Sequence, residues 1–284
     1  MRVPLIAANW KMNKTVSDTV SFVGAFIPEI RPLLDAWGET RGEGPALPGG
    51  ALEEARVPWP EILICPPFTS LPALSSLVAS YPIRTGAQDV FWETKGAFTG
   101  EISPTMLKDL GCRYVIVGHS ERRHIMGETG EMVAKKVRAA LDAGLRPILC
   151  VGETLAEREK GEALKVNSEM TSAGLAKVNK EEISQVVVAY EPVWAIGTGK
   201  EARPEDAAEV IREIRGAIDS LFGRGASEDV RVLYGGSVKA ANIRSFMNRE
   251  EIDGALVGGA SLDPHEFARL VFEVSKARPE KLGG

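Results

Sequence analysis

The sequence has little cysteine and little histidine, three of each in 284 residues. Cys65, Cys112 and Cys150 are odd in number and widely spaced, and no CxxC pair occurs. A disulfide framework and a zinc ribbon are therefore poor readings, and a reducing cytoplasm fits better. No two histidines stand at metal-ligand spacing, so no metal is expected. Long apolar runs are also missing. None approaches the ~20 residues of a membrane span, and the run from Val3 to Ala8 is too short for a secretory h-region. Positive charge is not in excess either. The formal net charge of −5 argues against general nucleic-acid binding, so any anion site must arise from local geometry.

What is present is an ordinary globular composition, 44% hydrophobic and 26% charged. A prior of ~150 residues per domain would suggest two domains, but α/β barrels run to about 250 residues as one. Short apolar runs recur at Val3–Asn9, Ile62–Cys65, Ile83–Gln88, Tyr114–Gly118, Pro147–Val151, Val186–Glu191, Val230–Tyr234 and Gly254–Val257. They are nearly continuous rather than alternating, as parallel strands buried on both faces must be. Amphipathic stretches lie between them. One starts at Thr15 with Val16, Val20, Val23 and Ile27, a second spans Glu131 to Ala143, and a third spans Pro204 to Phe222 with Glu205 and Asp206 in its first turn. Eight strand–helix units in alternation predict a single (β/α)8 barrel over residues 1–284, with an open doubly wound sheet as the competitor.

One segment breaks the rhythm. Residues 38–60 hold five glycines and four prolines without apolar periodicity. They read as a surface insertion between the first helix and the second strand.

Polar residues cluster just after the strands, which in a barrel places them on the one rim where active sites are built. Asn9 and Lys11 follow strand 1, and His119, Ser120 and Glu121 follow strand 4. Glu191 ends strand 6 and is held extended by Pro192. Gly235, Gly236 and Ser237 follow strand 7, and Gly258 and Gly259 follow strand 8. Lys11 could attract an anion or form a Schiff base. Asn9 could hold the Lys11 ammonium or a substrate oxygen. A helix starting just after His119 would keep its ring neutral and able to donate to a carbonyl. The glycine pairs let backbone N–H groups approach a phosphate. His124 and His265 lack such a setting and read as surface residues. Gly197–Ala202 fits GxGxxA, a dinucleotide pattern, but does not turn directly from strand into helix, so no nucleotide cofactor is expected.

Several stretches together resemble the triosephosphate isomerase family. They are Ala8–Asn13, Gly118–Arg123, Ala189–Lys200, Tyr234–Val238 and Asp253–Leu262. The resemblance covers almost the whole chain apart from residues 38–60. It implies interconversion of dihydroxyacetone phosphate and glyceraldehyde 3-phosphate through an enediolate, as in glycolysis and gluconeogenesis, without a cofactor. On that resemblance Glu191 is the base and neutral His119 the electrophile. Lys11 and Asn9 stabilise negative charge, and Glu121 pairs with Lys11. Gly197, Ser237, Gly258 and Gly259 bind phosphate. Pro192, Val193, Trp194, Ala195, Ile196, Thr198, Gly199 and Lys200 form a lid, with Trp194 its anchor. Gly96–Glu101 resembles the family's dimer loop, with Thr99 near its tip, so at least a homodimer is expected. Ala8 stands where the family often has glycine. The alternatives are another phosphosugar barrel enzyme using Lys11 covalently, or a catalytically silent scaffold.

Overall fold

The computed structural model describes residues 2–41, 60–195 and 202–277, with the backbone alone for 37–41. The chain opens with β1 (Leu5–Asn9), α1 (Val16–Glu29) and α2 (Arg31–Arg41). There follow β2 (Glu61–Cys65), α3 (Leu71–Val78), β3 (Ile83–Ala87) and α4 (Pro104–Asp109). Next come β4 (Tyr114–Val117), α5 (Ser120–His124), α6 (Gly130–Asp142), β5 (Arg146–Val151), α7 (Leu155–Glu159) and α8 (Ala163–Leu175). The last units are β6 (Val187–Tyr190), α9 (Pro204–Phe222), β7 (Arg231–Tyr234), α10 (Ile243–Met247), β8 (Gly254–Val257) and α11 (Pro264–Ser275). The eight strands close into a parallel barrel in chain order, with β1 beside β8. The architecture is the expected (β/α)8 barrel, not the open sheet. The second helix, α2, was not foreseen. It carries helix through residue 41, so positions 38–41 are helical, and the remainder of the expected insertion, 42–59, lies outside the described residues.

Local chemistry explains the element ends. Thr15 caps α1 in a capping box: its hydroxyl accepts the Asp18 N–H, and the Asp18 carboxylate accepts the Thr15 N–H at 2.8 Å. Pro204 opens α9, with Glu205 and Asp206 in its first turn complementing the helix dipole. Ala207, Val210, Ile211, Ile214 and Ile218 recur at helical spacing along α9 and are its buried face.

Strand side chains divide by parity. Leu5, Ala7, Leu63, Ile116, Cys150, Ala189 and Leu233 pack with one another inside the barrel. Ile6, Ala8, Ile64, Val115, Val188 and Val232 pack outward against the helices. Ala8 is fully buried in that layer. The N-terminal end of the barrel is plugged by a polar network. Tyr114 donates to Glu61 at 2.9 Å, while Arg231 reaches Glu61 at 2.6 Å and the Tyr114 oxygen at 2.6 Å. Burial pushes the Glu61 carboxyl up, but Arg231 and Tyr114 outweigh it and the net direction is down.

The ladders are unequal. β1 and β2 align over five residue pairs, whereas β7 and β8 align over one, Tyr234 with Ala255. Asp253 closes that thin seam. Its carboxylate accepts the Val232 N–H at 2.9 Å, Arg215 at 2.6 Å and Arg2 at 2.8 Å. Its own N–H donates to the Val232 carbonyl and its carbonyl accepts from Leu5. Gly254, at φ +150°, lets β8 run against β1, since a Cβ there would lie 1.9 Å from the Leu5 oxygen. No helix among the described residues is long and apolar enough to cross a membrane.

The seam generates a stability prediction. Asp253→Ala leaves Arg215 buried without its carboxylate and β7 without a side-chain tie, and should destabilise by about 3–5 kcal/mol. Urea unfolding of the variant checks this, and a loss below about 1 kcal/mol would show that the seam holds without Asp253.

Candidate active site

Glu191 follows β6 and keeps the inward parity of Val187 and Ala189, so its carboxylate enters the barrel mouth and is buried. Two glycines leave it room. A Cβ at Gly152 would lie 1.7 Å from the Glu191 carbonyl oxygen, and one at Gly235 would lie 3.0 Å from its Cγ. Gly235 is thus glycine because Glu191 lies against it. Gly236 has a similar reason, since a Cβ there would meet the Tyr234 ring oxygen at 2.2 Å and Pro192 at 3.0 Å.

His119 is the N-cap of α5, as the sequence reading required. Its Nδ1 accepts the Glu121 N–H at 3.3 Å, which leaves the proton on Nε2. That Nε2 donates to Glu191 at 2.8 Å, and the second Glu191 oxygen accepts the Ser120 N–H at 3.0 Å. Burial pushes the Glu191 carboxyl up. The opposing pull of His119, the Ser120 N–H and Lys11 is stronger, so the net direction is down. For His119, burial lowers the ring's pKa, but the contact with Glu191 and the nearby Glu121 raise it, and the net direction is up. The reading of an imidazole held neutral is therefore corrected in one respect: with Glu191 in contact, the carboxylate works against the neutral form.

Lys11 has φ +51°, an uncommon backbone conformation for a residue with a side chain. Two bonds hold it there, and a third ties Gln88 to the end of β2. The Asn9 amide oxygen accepts the Lys11 N–H at 3.0 Å, and Gln88 Nε2 donates to the Lys11 and Cys65 carbonyls at 2.9 Å each. Asn9 thus grips the Lys11 backbone, not its ammonium, and also lines the cavity. The Lys11 ammonium donates to Glu121 at 2.6 Å, the pairing that the resemblance implied.

Asn9, Lys11, His119, Glu191, Ser237, Gly258 and Gly259 line one cavity of about 650 Å³. Gly258 caps a helical turn at Gly259–Leu262, where free N–H groups are available to an anion. A Cβ on Gly259 would meet nothing within 4 Å, so its backbone is open to a bound group. Of the expected lid, Pro192 and Val193–Ala195 are described, while Ile196, Thr198, Gly199 and Lys200, together with the expected phosphate-binding Gly197, lie outside the described residues. Thr99 sits on the exposed loop after β3, away from this cavity. His124 is exposed, and exposed His265 contacts Glu29.

Three supports were not foreseen from the sequence. Glu153, fully buried, accepts from Tyr190, Trp194, Arg158 and Asn167 at 2.8–3.1 Å and so fixes Trp194, near the start of the expected lid. Arg158 also lies 4.6 Å over the Trp194 ring. Behind α5, Lys136 and Arg122 bind Asp89 and Glu128 in a buried cluster. Gln88 belongs with these, and its position at the end of an apolar run was the one available signal.

The comparisons with known proteins follow this geometry. Residues 50–274 match the family model described as triosephosphate isomerase. The chain belongs to the triosephosphate isomerase family. A triosephosphate isomerase of Caldanaerobacter subterraneus subsp. tengcongensis is 48% identical over 271 residues, covering 95% of this chain and 99% of the relative. One from Dictyoglomus turgidum matches to the same extent, and one from Symbiobacterium thermophilum is 46% identical over 278 residues, 98% of this chain and 99% of the relative. A triosephosphate isomerase chain is thus the setting in which the cavity is to be read.

The opposed influences on His119 can be separated. In Glu191→Gln the upward pull of the carboxylate is gone, while burial remains and lowers the ring's pKa. The His119 titration midpoint, followed by NMR of its ring nitrogens, should fall from above the ordinary 6.5 in the wild type to below it in the variant. An unchanged midpoint would remove Glu191 as the cause.

Proposed function

We propose that this chain interconverts dihydroxyacetone phosphate and glyceraldehyde 3-phosphate, with Glu191 as base. The observation that carries the reading is the direct Glu191–His119 contact inside a cavity that also holds Lys11 and the glycine turns after β7 and β8. A proton next to a carbonyl is weakly acidic. A positioned base contributes about 10²–10⁴-fold, and stabilising the enediolate must supply the rest.

Glu191 takes a proton from one carbon as the carbonyl oxygen gains negative charge. His119 Nε2–H donates to that oxygen and passes protons between the two oxygens, and Glu191 returns its proton to the neighbouring carbon. When Glu191 turns from His119 onto substrate carbon, the pull that raised the imidazole pKa is withdrawn. Burial and the start of α5 then favour a neutral donor. Lys11 and the Asn9 amide hold negative charge on the reacting oxygens. The N–H groups of Ser237, Gly258 and Gly259, with Gly197, receive the phosphate. Pro192–Lys200 closes over the site and excludes water, which protects the intermediate from losing phosphate. Trp194 anchors that lid through Glu153. Lys11 lies in an ion pair, an arrangement suited to holding charge and ill suited to presenting an amine lone pair, which speaks against the Schiff-base alternative.

The three free cysteines are buried, which fits a cytoplasmic enzyme. Assembly as a homodimer or higher homo-oligomer is supported by apolar side chains left bare on the loops after β1, β3 and β4. Met12 is 96% exposed, and Phe98, Ile125 and Met126 are exposed with it.

Purified protein should convert glyceraldehyde 3-phosphate in an assay coupled to a dehydrogenase that consumes dihydroxyacetone phosphate. Glu191→Gln, purified identically, should lose about 10³-fold or more in kcat with its circular dichroism unchanged. Equal rates would remove Glu191 from the reaction. Thr99→Arg should shift the sedimentation coefficient toward that of a monomer, and an unchanged value would remove this loop from the interface.

A further inference from the structure

We propose that Lys239 is a substrate-recruiting cation at the phosphate end of the cavity, a role that the ion-paired Lys11 at the reacting end does not fill. The inference rests on the isomerase reading and names a residue that reading leaves without a role.

Among the described residues, four side chains of full charge line the cavity: Lys11, Lys239, Glu191 and Glu266. Their charges cancel, and the chain as a whole carries −5. An approaching phosphate dianion therefore meets a neutral mouth on a negative protein. Lys11 cannot correct this at a distance, because Glu121 sits 2.6 Å from its ammonium. Glu191 is buried against His119, and Glu266 is engaged by the Ala240 N–H at 2.9 Å. Lys239 pairs with no carboxylate among the described residues, and it is exposed at the rim. Among the described residues it is the cavity's cation that no carboxylate compensates.

The backbone beneath it is fixed where the role requires. Lys239 stands two residues beyond Ser237. Its N–H donates to the Asn242 side chain at 2.9 Å, and its carbonyl accepts from Asn242 and Ile243. Asn242 also reaches back to the Ser237 carbonyl. The turn that positions Ser237 thus also positions the Lys239 stem, and the exposed side chain lines the mouth. Such a charge acts on encounter and ground-state binding of the phosphate. It leaves the proton transfers between carbons untouched.

The test compares wild type with Lys239→Gln, Lys239→Arg and Lys239→Glu. Between about 0.02 M and about 0.5 M salt, the Gln variant should show a shallower fall of kcat/KM than wild type. At the low end its kcat/KM should be roughly 3–10-fold lower, carried by KM with kcat within about twofold. The Arg variant should restore the salt slope, and the Glu variant should fall below Gln. The inhibition constant of inorganic phosphate should weaken by the same factor. Equal slopes for wild type and Gln, or a loss confined to kcat, would overturn the role. A wild type without isomerase turnover would overturn the functional reading instead. Phosphate binding by calorimetry, with and without Lys239, would then decide the inference by the same comparison.

Discussion

Closing a parallel sheet on itself forces every strand to end on the same side. Asn9, Glu191 and the turns after β7 and β8 come from distant parts of the chain, yet they share a rim because β1 lies beside β8. Closure is weakest where β7 and β8 align over a single residue pair, and there the chain substitutes side-chain bonds for ladder bonds. Asp253 does this from the N-terminal side, with two arginines satisfying the oxygens that would otherwise be buried charge. The thin seam is also the place where the two glycine turns sit side by side. There the register of β8 is set by β1, over the four pairs from Leu5 with Gly254 to Ala8 with Val257.

The site then works by opposing local fields. Glu191 is buried yet ionisable because an imidazole, a backbone N–H and a nearby lysine together outweigh burial. His119 sits where burial and a helix start disfavour its cation, yet the free enzyme places a carboxylate on it. Under the proposed reaction that resting contact is one substrate would break. The carboxylate would then lose a stabilising donor and become a better base, and the imidazole would lose its reason to be charged.

Much of this was legible in the sequence because the signals were local. Strands buried on both faces announce themselves as unbroken apolar runs, and the observed bounds of β2 and β8 fall within a residue of the runs at Ile62–Cys65 and Gly254–Val257. The inward direction of Glu191 follows from parity once the strand is placed. Gly235 was read as a phosphate turn, but its backbone is glycine to clear Glu191, a contact between residues 44 positions apart that no local pattern encodes. Glu153, Gln88 and the cluster of Asp89, Glu128 and Lys136 were illegible for the same reason. Each is an ordinary polar residue in its own neighbourhood, and it gains meaning from partners brought near by folding. The α2 helix was missed because glycine at position 38 and the proline-rich stretch after it hide the helical spacing of Leu33, Leu34 and Trp37.

The grip on Lys11 has a mechanical side. Its left-handed backbone is held on one flank by Asn9 and on the other by a single amide, Gln88, which also ties down the end of β2. Gln88 is the first residue of the long loop that carries Phe98 and Thr99 outward. Through that one side chain the root of the loop is joined both to the Lys11 backbone and to the end of β2. A shift of the root would have to break the bonds of the Gln88 amide or carry Lys11 and Cys65 with it.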